Sequence, residues 1–247
     1  MLFISRFVEI ENLSKQLSLG RMDMQQLIKK ENVRIKIIGD SIAAGGGSTQ
    51  SYKTDQLIFE DTKKFFRRIS PNSWWGLLET YLHKINSTLT IVNNGCGGAY
   101  SYQIKEHLET LVAREDDIVF VLLGLNDRKR TNGLKELREN LENIIEKLIA
   151  WEKKIVILTP NPSVYSNEYY ENRIYHTDQI VEILKDVAMN KGVLLIDNYQ
   201  FILDYLAAHE QKIDDIIFNA DGGGDGLHPG DFVQKLMFEN IISELDI

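Results

Sequence analysis

Five short runs of aliphatic and β-branched residues, most of them followed by polar or glycine-rich punctuation, constrain this chain more than any other feature. They are Val33–Ile38, Leu89–Val92, Ile118–Leu123, Ile155–Leu158 and Val193–Ile196. Apart from the first, which Arg34 and Lys36 interrupt, the runs are nearly continuous, the pattern of parallel strands covered on both faces. Helical periodicity fills the intervals. Leu134, Leu137, Leu141, Ile144, Ile145, Leu148 and Ile149 keep to steps of three and four, so one stripe faces the sheet. A second stripe, Ile180, Val181, Ile183, Leu184 and Val187, precedes the fifth run, with Gly192 placed to stop it. Strands alternating with helices predict a doubly wound α/β sandwich with right-handed crossovers.

Two segments fall outside the alternation. Residues 1–32 read as an N-terminal helical extension, one or two amphipathic helices broken near Gly20, serving as a docking arm, a lid or a route to a homo-oligomer. The remaining 33–247 form the main domain. Within it, the stretch between Ile42 and Pro71 is polar and carries Gly45-Gly46-Gly47. It is too long for an ordinary βα connection and reads as a functional loop.

Composition removes several classes of function. With 28 Lys+Arg against 36 Asp+Glu the net charge is −8, and no basic stripe is available for a nucleic acid. The pair Arg67-Arg68 and the triplet Arg128-Lys129-Arg130 read as solvated surface. A single cysteine, Cys96, excludes an intrachain disulfide and fits a reducing compartment. The first residues hold only a four-residue apolar run before Ser5, too little for a signal-peptide core or a membrane span. The expected location is therefore the cytoplasm.

In an open parallel sheet the ligand crevice lies beyond the carboxyl ends of the strands, and here those ends are loaded. The first strand runs into Gly39-Asp40-Ser41, the second into Asn93-Asn94-Gly95-Cys96-Gly97-Gly98, and the third into Gly124-Leu125-Asn126-Asp127. Near the C-terminus, a glycine-rich turn leads through Asp225-Gly226-Leu227-His228 to Pro229 and a last helix. Ser, His and Asp are the parts of a nucleophile, base and orienter, and Gly and Asn amides are the parts of an oxyanion hole. Asp225, three residues before His228, can fold back onto the imidazole.

These blocks resemble the SGNH (GDSL-type) hydrolase family, named for Ser, Gly, Asn and His in four blocks. The resemblance runs from about Val33 to the end, with all four blocks in the family's order. It implies a three-layer α/β/α sandwich with a five-stranded, mainly parallel, flavodoxin-like sheet. By the same resemblance Ser41 is the nucleophile, His228 its base and Asp225 the triad acid. The oxyanion hole takes the amides of Ser41 and Gly98 and the side chain of Asn126, and no cofactor is needed. The family implies an ester or thioester substrate, here preferably a short acyl or O-acetyl group, as on a carbohydrate. An acyltransferase, a lysophospholipase or thioesterase, and a non-catalytic glycan-binding module are the alternatives. Departures are Ile42 in place of the usual Leu, Ala99 where Asp is frequent, and the insertion after Ser41. Gly95 and Gly97 offer rival amides to Gly98.

Blander readings cover the rest. Asp40 and Asp127 adjoin block residues and brace their loops, and Asp221, farther from His228 in sequence, is a weaker competitor for the role of Asp225. His83, His107, His176 and His209 are scattered without ligand spacing, so no metal site is expected. Cys96 reads as a small buried hydrophobe. The glycine runs lack the Lys of a phosphate-cradling loop and do not spell G-x-G-x-x-G, against nucleotide binding. At least one of Trp74 and Trp75 belongs to the core, while Tyr165, Tyr169, Tyr170 and Tyr175 are rim residues.

Overall fold

The computed structural model describes residues 23–247. Most of the predicted N-terminal extension therefore lies outside the described residues. Of its last part, Met24 and Ile28 are buried in the main core.

The strands are β1 (Arg34–Gly39), β2 (Tyr52–Glu60), β3 (Lys64–Ile69), β4 (Thr90–Gly95), β5 (Ile118–Leu122), β6 (Lys154–Leu158) and β7 (Leu194–Ile196). Five of them form one parallel sheet in the order β4-β1-β5-β6-β7. Each predicted aliphatic run is one of these five. The alternation of side chains across the pleat divides each strand between two cores. Ile118, Phe120 and Leu122 of β5 face one, with Trp74 and Leu78 of the helix Trp74–Ile85 and Val233 and Met237 of the helix Asp231–Leu245. Val119 and Val121 face the other, with the helices Gly133–Ala150 and Thr177–Lys191. Helix, sheet and helix make the three-layer sandwich.

The anomalies in the pattern have physical reasons. Lys36, the charge inside the first run, is buried on β1 with its ammonium 3.6 Å from the carboxylate of buried Asp116. Both predicted helical stripes are buried except at their margins, where Leu134 is partly covered and Ile149 is exposed. Gly192 ends its helix with φ +63°, a left-handed conformation that glycine adopts without a side-chain penalty.

The segment read as a loop after Ser41 is instead an antiparallel hairpin, β2 with β3. Its outer face is solvated, and Phe59 and Phe65 anchor it, their rings 4.5 Å apart with Phe59 stacked on His107 at 4.1 Å. The order of the main sheet puts β1 between β4 and β5, so the chain leaves β1 at the point where the winding reverses. Loops after β1, β4 and β5 thereby meet in one crevice, the usual place for a ligand in such sheets.

Candidate active site

The turn that carries Ser41 begins at a glycine for a steric reason. Gly39 has φ +143°, and a Cβ there would lie 1.7 Å from Leu122 O on β5. The chain then reverses sharply. Asp40 is buried and caps the turn, its Oδ1 accepting from Ile42 N–H (2.9 Å) and its Oδ2 from Leu125 N–H (3.3 Å). Burial pushes the Asp40 carboxyl up to about 6 in spite of these bonds. From outside, both tryptophans hold the same turn. Trp74 Nε1 donates to Ile42 O (3.0 Å) and Trp75 Nε1 to Ala44 O (3.3 Å). Both are core residues, and both also fix the backbone around Ser41, a role their sequence context did not signal.

His228 reaches Ser41 from the other end of the chain. Its Nε2 lies 2.8 Å from Ser41 Oγ, and its Nδ1 lies 2.7 Å from Asp225 Oδ2. The other carboxylate oxygen of Asp225 accepts two backbone amides, Leu227 N–H at 3.0 Å and His228 N–H at 2.8 Å. Burial alone would raise the Asp225 pKa, but the hydrogen bonds from the His228 ring, the two amides and the nearby imidazole charge outweigh it. The carboxyl is held well below the usual range. Asp221 turns back on Gly223 N–H at 2.8 Å instead. Two bonds tie this loop to the segment after β6, from Asn161 Nδ2 to Leu227 O (3.0 Å) and from Val164 N–H to Gly226 O (2.9 Å). Gly46 gives the imidazole room, since a Cβ there would come within 2.9 Å of its Cδ2, and Gly47 makes room for the backbone of His228 and Pro229.

Of the residues expected in the oxyanion hole, Ser41 lines the same cavity as His228, and so does Gly97, the neighbour of Gly98. Gly97 faces Ser41, a Cβ there lying 4.0 Å from the serine Cβ. Gly98 follows with φ +77°. Among the described residues, neither Ser41 N–H nor Gly98 N–H takes part in a turn or loop hydrogen bond. Asn126 donates one Nδ2 hydrogen to Ala99 O (3.0 Å) and keeps the other. Its neighbour Asp127 accepts from Ser101 N–H and Oγ–H (2.6 Å for the hydroxyl), bracing the loop as expected. Burial pushes Asp127 up to about 6 against those bonds.

Ser41, Gly46, Gly97, Asp225 and His228 line a cavity of about 420 Å³, and so does Arg68 of β3, which the sequence did not suggest. A cavity of about 300 Å³ beside Trp151 and a larger one of about 570 Å³ beside Phe232 have no histidine in their lining, so chemistry rather than size selects the site. Cys96 is buried, and burial pushes its thiol up to about 12, too high for a thiolate. Among the described residues no three His, Cys, Asp or Glu side chains cluster as metal ligands. No described helix is long and apolar enough to cross a membrane.

The triplet Arg128-Lys129-Arg130 is not solvated surface. Arg128 is fully buried, where its guanidinium donates to Leu125 O (3.1 Å), Thr177 Oγ1 (2.8 Å) and Glu168 Oε2 (3.1 Å). The short helix Tyr165–Glu168 after β6 is pinned by this ion pair, leaving Tyr165, Tyr169 and Tyr170 exposed.

A hydroxyl, an imidazole and a carboxylate in series can carry a proton off the hydroxyl, and amides that have no other partner can take up negative charge. Comparison with known proteins gives the family and the fold. A family model described as GDSL-like Lipase/Acylhydrolase family matches residues 37–236. Among solved structures, an acetylxylan esterase, Axe2 from Geobacillus stearothermophilus, is similar at 18% identity. The match covers 88% of this chain and 95% of that one, with a TM-score of 0.63. LAE5, described as an alpha/beta hydrolase enzyme from the metagenome of Lake Arreo, Spain, is similar at 20% identity over 89% and 98%, with a TM-score of 0.61. At such identities the likeness shows the fold.

Proposed function

This chain belongs to the GDSL-like lipase/acylhydrolase family and is a carboxylic ester hydrolase; from that premise we propose that it is a serine esterase acting through an acyl-enzyme. Ser41 Oγ attacks the ester carbonyl as His228 Nε2 takes its proton. The amides of Ser41 and Gly98 and the side chain of Asn126 hold the oxyanion. The tetrahedral intermediate collapses, the C–O bond breaks, and His228 returns the proton to the departing alcohol. Water then adds to the acyl-enzyme by the same route in reverse, with His228 as base. Asp225 keeps the ring in the tautomer whose Nε2 accepts and stabilises the imidazolium that forms.

The observation that carries this reading is the unbroken relay from Ser41 Oγ to His228 Nε2 at 2.8 Å and from Nδ1 to Asp225 at 2.7 Å. Solved catalytic mutants of Axe2 replace a serine, an aspartate and a histidine, the last two three positions apart, as Asp225 and His228 are. A fluorophosphonate probe should label wild type and leave Ser41→Ala unlabelled. Hydrolysis of p-nitrophenyl acetate should fall by about 10³-fold or more in that variant. Labelling elsewhere, or an active Ser41→Ala, refutes the assignment.

For the substrate we favour a short acyl group, an O-acetyl on a carbohydrate. The exposed tyrosines after β6 are suited to stack on sugar rings, and the similar Axe2 is by its title an acetylxylan esterase. A panel of acetylated sugars and longer-chain esters tests this, and an optimum at long chains defeats it. We place it in the cytoplasm because its single cysteine, buried Cys96, allows no intrachain disulfide.

A further inference from the structure

An amide group that donates through its N–H has a carbonyl oxygen on its far side, and what that oxygen binds tunes the donor. Behind the two glycine and asparagine donors proposed above, the partner is in each case a lysine ammonium. Lys63 Nζ lies 3.0 Å from Gly97 O, and Gly97 O belongs to the trans peptide whose N–H is that of Gly98. Lys129 Nζ lies 3.2 Å from Asn126 Oδ1, the oxygen of the side-chain amide whose Nδ2 carries the free hydrogen. These are two ammonium groups from unconnected parts of the chain, each one hydrogen bond behind a donor.

Neither ammonium has a carboxylate within ion-pair distance among the described residues, whereas Lys64, Lys147 and Lys154 each pair with one. Lys63 is also held in place. It sits in the turn between β2 and β3, where Gln103 Nε2 donates to Asp61 Oδ2 (2.7 Å) and Thr62 Oγ1 (3.2 Å). Its ammonium lies over the anchoring ring of Phe65 at 5.0 Å. The hairpin that interrupts the α/β alternation therefore delivers a cation to the back of the oxyanion hole.

We propose that Lys63 and Lys129 are positioning residues of the oxyanion hole, each orienting and polarising the amide that meets the developing negative charge. A cation on the amide oxygen draws electron density toward it and makes the N–H a stronger donor. The substrate carbonyl in the ground state carries little charge and gains little from this, whereas the oxyanion gains much. The effect therefore falls on kcat rather than on KM. The inference rests on Gly98 and Asn126 being the hole's donors, and the experiment separates the two claims.

The measurement is kcat and KM for p-nitrophenyl acetate in Lys63→Met, Lys129→Met, Asn126→Ala and the pairwise combinations. Each Lys→Met variant should lower kcat by about five- to twentyfold, less than the roughly 10- to 150-fold for losing a charged hydrogen bond outright because the donor N–H itself remains, with KM within about twofold of wild type. Lys63→Arg and Lys129→Arg should recover most of the loss, and the Gln variants, which keep a neutral donor, should fall between. In an Asn126→Ala background Lys129→Met should cost almost nothing more, whereas Lys63→Met should keep its whole effect. If Asn126→Ala lowers kcat by about 10²–10³-fold while the lysine variants do nothing, the proposal is overturned and the hole stands. Equal losses from Lys129→Met with and without Asn126 also overturn it. If Asn126→Ala leaves kcat intact, the hole assignment itself falls.

Discussion

Replacing Asp225 by Asn should be as damaging as replacing it by Ala, although Asn is almost the same shape. The reason lies in how the carboxylate divides its bonds. Oδ1 accepts Leu227 N–H and His228 N–H, while Oδ2 accepts from His228 Nδ1. An Asn at 225 keeps the loop by placing its carbonyl oxygen against the two amides. Flipping it would set its own NH₂ against two N–H donors. The NH₂ group is then forced onto Nδ1, which must accept, so the ring proton moves to Nε2 and points at Ser41 Oγ. A base so protonated cannot take the serine proton. Loss of the correct tautomer together with the counter-charge of the imidazolium is worth about 10³–10⁴ in kcat, or about 4–5.5 kcal/mol at 1.36 kcal/mol per decade. The Asp225 side chain is 54% exposed, so water shares in screening its charge and the lower end of that range applies. The assay is kcat for p-nitrophenyl acetate at pH 7–8 for Asp225→Asn and Asp225→Ala side by side, with thermal melting of both. Asp225→Asn should melt close to wild type and turn over no faster than Asp225→Ala. An Asn variant within tenfold of wild type would refute the tautomer argument.

Two further outcomes concern stability. Asp127 has a folded pKa of about 6 against about 3.9 when unfolded, so the folded state binds the extra proton between those values. Its contribution to stability is greatest below about pH 4 and is lost as pH rises through about 6, on the order of 2–3 kcal/mol. Urea titration of wild type and Asp127→Asn from pH 4 to 7 should show the difference moving in the variant's favour by that order, and a flat difference counts against the buried-carboxyl reading. Arg128→Met should destabilise by about 3 kcal/mol, because it strips Glu168 of its buried counter-charge and leaves Leu125 O without its donor; a loss below 1 kcal/mol in chemical denaturation would show the pair to be dispensable.

The five-stranded sheet was legible because strands covered on both faces must be apolar almost throughout, and Ile118–Leu122 has no other reading at that length. That Ser41, Asp225 and His228 meet was legible from the blocks taken together in their order along the chain, each being weak alone. The hairpin was not. Tyr52–Glu60 is largely solvated and its register slips between Lys53 and Phe59, so neither a continuous apolar run nor a clean alternation marks it. The basic triplet misled for the opposite reason. Charge normally signals solvent, and only the tertiary arrangement of Leu125, Glu168 and Thr177 makes a dry socket for the Arg128 guanidinium. Lys63 and Lys129 were equally invisible, since a lysine in a polar turn carries no local sign of what its ammonium will find.

The hydroxyl and the imidazole that must meet are 187 positions apart in sequence. During synthesis the serine emerges first, and its proposed base follows only 187 residues later. In the proposed relay, a chain made only as far as Asp221 holds the serine without its base, and the two meet only when the turn before Pro229 reaches the end of β1. Reactivity through the proposed relay would thus report that the segment carrying His228 has been made and docked against β1.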